Sequence, residues 1–123
     1  MSNNHTPTEI NLNQRTHVLE LAFEAGERFQ LSCEYLRCFS PSAEVRGHGP
    51  GQEVLQKGKE EVNIMQIEPV GHYAVCLHFD DGHNTGIYSW DTLYDLGKQH
   101  DKYWADYLAR LEAAGHKRKE VKF

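Results

Sequence analysis

Residues Gly71–Trp90 read GHYAVCLHFDDGHNTGIYSW, and the fold follows from how this stretch is taken. Tyr73, Val75, Leu77 and Phe79 alternate with Ala74, Cys76, His78 and Asp80, the period-two signature of a strand. Asp81-Gly82 predicts a two-residue type I′ turn, because both central positions of that turn need positive φ and Asp-Gly tolerates it. In that register Asp80 faces His83, His78 faces Thr85 and Cys76 faces Ile87. Val75, Leu77 and Tyr88 then line the core side. Cys76, His78, Asp80, His83 and Thr85 share the opposite face, and a one-residue slip would scatter them over both.

Upstream, Val62–Val70 (VNIMQIEPV) alternates with apolar residues on both sides, which predicts a strand buried on both faces and ended by Pro69. The Gly71 turn makes it an antiparallel neighbour of the hairpin, so three consecutive strands form a meander. Further back, Thr16–Phe23 and Arg28–Leu31 predict a first hairpin around Glu24-Ala25-Gly26-Glu27. Ser32 caps a short helix from Cys33 to about Phe39, with Glu34 where the helix dipole favours a carboxylate and Pro41 barring continuation. Ser40–Gly51 (SPSAEVRGHGPG) is rich in turn formers and predicts a loop. Its glycines precede no Walker-type Lys-Ser/Thr, so they serve backbone geometry and not a phosphate.

Downstream, Ser89 caps a helix in which Trp90, Leu93 and Leu96 recur at helical spacing and Gly97 is the expected stop. A last helix is expected from about Lys102 to Ala114, capped by Asp101 and stopped by Gly115. Its apolar stripe is Trp104, Leu108 and Leu111, with Tyr103 and Tyr107 alongside. The expected fold class is α+β: an antiparallel sheet built from hairpins and a meander, a short helix after the first hairpin, and two C-terminal helices packed on the sheet. Residues 1–14 are expected as a disordered tail, 15–115 as one domain and 116–123 as a solvated basic tail.

With 123 residues, 39% hydrophobic and 25% charged, the chain suits one ordinary polar core. A formal charge of -5 carries no basic stripe for nucleic acid, and no apolar run reaches the roughly 18 residues of a membrane span. The first residues lack the layout of a signal peptide, and Cys33, Cys38 and Cys76 form no C-x-x-C pair, which points to reduced thiols in a cytoplasm.

Leu36-Arg37, Ser40–His48, Ile67–Gly71 and Asp81–Trp90 together resemble the small bacterial proteins named after the N-terminal domain of gamma-butyrobetaine hydroxylase. The resemblance spans about residues 15 to 114. It implies a compact domain of helices and antiparallel strands, which in the hydroxylases precedes the catalytic oxygenase domain and elsewhere accompanies iron–sulfur carriers. It does not imply oxygenase activity, since nothing here resembles the catalytic domain. The hydroxylase domain holds a structural zinc through three cysteines and a histidine. Those positions fall on Ser40, Ser42, Val45 and His83, so three of the four ligands are absent here.

Two site readings stand side by side. In one, the chain is an accessory domain without catalysis, and Arg37, Glu44, Arg46, His48, Tyr88 and Trp90 form a surface for a protein partner. Iron or iron–sulfur metabolism is the context that the resemblance implies for that partner. In the other, His83, Asp80 and His78 hold Fe or Zn, helped by His48 or Glu44 from the facing loop. A histidine beside an Asp-Gly turn also commonly just hydrogen-bonds that turn. A Ser–His nucleophile lacks a G-x-S-x-G frame, and Ser40, Ser42 and Ser89 all have work as turn or cap residues. Monomer and homodimer are both open.

Overall fold

The computed structural model describes residues 5–47 and 51–123. In chain order it contains β1 (Pro7–Asn13), β2 (Val18–Phe23), β3 (Arg28–Ser32), α1 (Cys33–Cys38) and α2 (Ala43–Arg46). There follow β4 (Ile64–Val70), β5 (Ala74–Phe79), β6 (Ile87–Ser89), α3 (Trp90–Lys98) and α4 (His100–Ala113). The strands make two antiparallel three-stranded sheets, β1-β2-β3 and β4-β5-β6. The fold class is therefore α+β, as expected.

One apolar cluster joins the two sheets to α1 and α3. Leu19, Leu21 and Phe23 of β2 meet Leu31, Tyr35, Leu36, Val75, Leu77, Phe79, Tyr88 and Leu93. Alternation explains β2, because Glu20 between two buried leucines turns outward to Gln30 of β3. The buried tyrosines keep their hydroxyls paired: Tyr35 donates to the Leu96 carbonyl at 2.7 Å, and Tyr88 to the Leu36 carbonyl at 2.6 Å. These bonds tie α1 to α3 and to β6.

Several expectations need correction. Residues 7–13 are not a tail but β1, paired with β2, because Ile10 and Leu12 alternate with Glu9 and Asn11 and pack on the core. Strand β4 is not buried on both faces. It is an edge strand, with Met65 59% exposed and Pro69 at a position where a missing ladder donor is tolerated. Gly97 lies inside α3 and not past its end, and a side chain there would collide with the ring of Phe29. In α4, Tyr107 and Leu111 take the buried positions and Leu108 is exposed, so the stripe is rotated from the one expected. The Ser40–Gly51 segment contains the one-turn helix α2.

The C-terminal residues also dock and are not a free tail. Glu34 of α1 is buried, and Arg118 returns to bind its carboxylate while lying over the Trp104 ring. The Lys119 amide donates to Glu60 at 2.8 Å, and Phe123 stacks on His17. A buried carboxylate without a cation is costly, which is what recruits Arg118. Among the described residues no helix is long and apolar enough to cross a membrane.

Candidate functional site

The site is where the Phe39–Gly47 segment lies against the β5–β6 hairpin, and the turn of that hairpin sets its geometry. The turn is not the two-residue type I′. The Gly82 amide bonds the Phe79 carbonyl, the Phe79 amide bonds the His83 carbonyl, and only Gly82 has positive φ (89°) among the turn residues. This is a three-residue connection of Asp80, Asp81 and Gly82 closed by a glycine bulge. It pairs His83 with Phe79 on the buried side. The Cys76–Ile87 pairing foreseen from the sequence is recovered further along, after an irregular stretch at Asn84–Thr85.

His83 is 4% exposed and is bonded at both ring nitrogens. Its Nδ1 lies 3.0 Å from Oε1 of Glu44, and its Nε2 lies 2.8 Å from Oγ of Ser40. A carboxylate only accepts, so Nδ1 carries the proton and Nε2 accepts from the Ser40 hydroxyl. Ser42 builds the other half of the contact: its hydroxyl caps α2 at the Glu44 amide and lies 2.7 Å from Oγ1 of Thr85. Gly86 permits this approach, because a Cβ there would overlap the Ser40 hydroxyl.

Hydroxyl, imidazole and carboxylate in this order are the arrangement of a hydrolase triad. The burial is the reverse of what catalysis requires. Ser40 is 0% exposed, and its oxygen also accepts from the Ser42 amide, while the Glu44 side chain is 62% exposed. A nucleophile must meet its substrate, so the relay works as a fastening between loop and hairpin.

A second fastening lies beside it. The Asp81 carboxylate receives Nε of Arg37 at 2.8 Å, Nζ of Lys59 at 2.7 Å and the His83 amide at 3.1 Å. Arg37 is buried, and its Nη1 has no hydrogen-bond partner among the described residues. Partial burial opposes ionisation of Asp81, but the bonds from Lys59, the His83 amide and Arg37 outweigh it and bring its pKa to about 2. For His83, burial and then the Arg37 charge hold the pKa below its ordinary 6.5, against the opposing pull of Glu44 and Asp81.

The sign of the pH dependence follows. Between 6.5 and its lower folded value, the unfolded chain binds a proton at His83 that the folded chain does not. Stability from this group is complete above pH 6.5 and is lost as pH falls. Asp81 adds stability that is complete above 3.8 and is lost as pH falls toward about 2. Denaturant midpoints measured from pH 8 to pH 2 should therefore fall in two stages. H83Q should remove the first stage and leave the second.

The four-residue metal set expected around His83 is not assembled. His78 bonds Glu68 at 2.9 Å on the outer face of the second sheet, and Asp80 accepts from the Asn63 amide at 3.1 Å. His48 lies outside the described residues. The three-residue turn is the cause, since it swings His83 to the face opposite His78. The structural zinc of the hydroxylase domain does not fit here either. Ser40, Ser42 and His83 do converge, but hydroxyls replace thiolates and both imidazole nitrogens are already bonded.

The expected interaction surface divides likewise. Arg37 and Tyr88 are interior, and Trp90 is half-buried with its Nε1 on the His72 carbonyl at 2.9 Å. Glu44 and Arg46 remain exposed, and Glu44 pairs with His83 and not with Arg46. Lys59 and Glu68 were not foreseen. Glu68 was readable in principle, as the meander puts it opposite Cys76, whereas Lys59 arrives from irregular chain with no pattern to place it. All three cysteines are buried and unpaired, with burial raising Cys33 to about 11 and Cys38 to about 12.

Two small antiparallel sheets with a loop fastened to the second hairpin define a class of compact α+β domain. The chain belongs to the family described as gamma-butyrobetaine hydroxylase-like, N-terminal, whose model matches residues 10–94. Two solved solution structures are 48% and 43% identical, with TM-scores of 0.84 and 0.81. The first covers 100% of this chain and 92% of its own, the second 98% and 94%. A crystal structure from Acidithiobacillus ferrooxidans, described as a protein with unknown function in the DUF971 family, is 39% identical with a TM-score of 0.63. It covers 75% of this chain and 92% of its own. The search of curated proteins found no match.

Proposed function

We propose that this domain is a non-catalytic accessory module that binds a basic segment of a partner protein. The observation that supports it is a cleft of about 690 Å³ between the Phe39–Arg46 segment and helices α3 and α4. Phe39, Leu96 and Tyr103 supply apolar surface, and Glu53, Asp91, Asp95 and Asp106 outnumber Arg46 and Arg110 around it. The chain's net charge of -5 has the same sign. Aromatic surface beside carboxylates suits lysine or arginine side chains, whose stems pack while their heads pair. The relay fits this role by holding one wall of the cleft at a fixed position. Iron or iron–sulfur handling is the context that the family resemblance offers for the partner.

The test is a photo-crosslinking side chain in place of Arg46, in cells and in a defined mixture with the captured partner. Saturable capture of one partner is expected, with D91K/D106K weakening it by about tenfold or more, equivalent to ~1.4 kcal/mol. Capture that ignores the charge reversal contradicts the reading. So does reproducible turnover of a small metabolite by the purified domain.

A further inference from the structure

We propose that Glu68, Cys76 and His78 form a binding site for a thiophilic divalent cation, Zn²⁺ foremost, on the outer face of the second sheet. The placement follows from register. Cys76 and His78 are two apart on β5 and so share a face, and Glu68 of β4 stands directly opposite Cys76. One donor atom from each lies within 4.8 Å of the other two, and this is the one such group of three among the described residues.

The geometry needs little adjustment. Zinc bonds of ~2.0–2.3 Å put tetrahedral donors roughly 3.3–3.8 Å apart. The His78–Glu68 separation of 2.9 Å has to open and the thiol has to swing in, both by side-chain rotation with the strand register unchanged. The chemistry selects the ion. One sulfur, one imidazole nitrogen and one carboxylate favour Zn²⁺ and its softer neighbours over Mg²⁺ or Ca²⁺. A thiolate and a carboxylate neutralise a dication, and three protein ligands leave a fourth position for water.

The alternative account of these residues is weak as an explanation. An exposed histidine–glutamate pair is worth ~0–1 kcal/mol and does not require a cysteine beside it. The thiol now donates to the Asn84 carbonyl at 3.1 Å, so the sulfur carries its proton. Metal binding must therefore release that proton, and affinity should rise with pH. The relay at His83 faces the other way and contributes nothing to this site.

The test uses the full chain without a histidine tag, reduced, stripped with a chelator and titrated with Co²⁺ alone and then with Zn²⁺. One equivalent of Co²⁺ should bind with a thiolate charge-transfer band, and Zn²⁺ should displace it. C76S should abolish the band. H78Q should weaken Zn²⁺ by more than about a hundredfold, beyond what loss of a merely supporting contact costs, and E68Q by about tenfold. H100Q serves as the control and should bind as the parent does. Because Glu68 is exposed and His78 partly so, E68Q and H78Q keep the question answerable if C76S fails to fold. Absence of the thiolate band, or Zn²⁺ affinity unchanged in H78Q and E68Q, overturns the proposal. Neither result bears on the partner cleft, which shares no residue with this site.

Discussion

Asp81→Asn should lower the stability of this domain by about 2–4 kcal/mol, near the range for breaking a buried ion pair from one side. At this size that is a fall in Tm of roughly 10 °C. The reason is asymmetric. The carboxamide still offers an oxygen, but the Arg37 guanidinium stays buried with no countercharge, and Lys59 loses its partner too. The Asp81 side chain is 22% exposed, so solvent tempers the loss and shifts it below the range for fully buried pairs. The contrast that isolates the effect is Glu9→Gln, which breaks the Arg28–Glu9 pair. Its side chains are 71% and 50% exposed, and the cost should stay below about 1 kcal/mol. Thermal or denaturant unfolding of both variants measures the difference.

Gly86→Ala should cost about 2–3 kcal/mol through a methyl group alone. Its φ is not in the left-handed region, so the backbone accepts alanine, and the penalty comes from displacing the Ser40 hydroxyl. That hydroxyl holds both His83 and the Ser42 amide, so moving it leaves buried groups unpaired. Ser40→Ala alone should cost about 1–2 kcal/mol, for the loss of the same bonds without a collision. The double variant then tests the cause. With no hydroxyl left to strike, S40A/G86A should be more stable than the sum of the two losses by about 1 kcal/mol or more. Strict additivity would mean that the methyl group acts elsewhere, on the Tyr88 ring 3.2 Å away.

Much of the fold was legible because alternation and capping are local signals. Ser32, Ser42 and Ser89 all accept from helical amides, and β5 begins and ends close to where its alternation does. Cys76 does face Ile87. What the sequence hid were features decided by tertiary contact. Strand β1 looked like a polar tail because its two apolar residues make sense only once β2 is beside them. Strand β4 reads as buried because its sequence does not say that Met65 stays exposed. Arg118 reads as solvated in the sequence because nothing there says that its partner Glu34 is interior.

The expected site came apart on a single torsional choice. Asp-Gly satisfies a type I′ turn and equally a type I turn with Gly82 in the bulge position, and the two place His83 on opposite faces. In the second, His83 meets Ser40 and Glu44 and leaves His78 behind. Ser40, Ser42 and Glu44 lie against the hairpin as a fastening and not as a ligand shell.

Titration of the histidine ring signals by NMR, with the ring-nitrogen shifts that reveal the tautomer, decides whether His83 is a fastening. A fastening requires a neutral ring protonated at Nδ1, a pKa below 6.5 and signals that do not move when Zn²⁺ is added. A pKa at or above 6.5, the opposite tautomer, or a His83 shift that follows zinc would show that His83 is a working ligand or acid–base group instead.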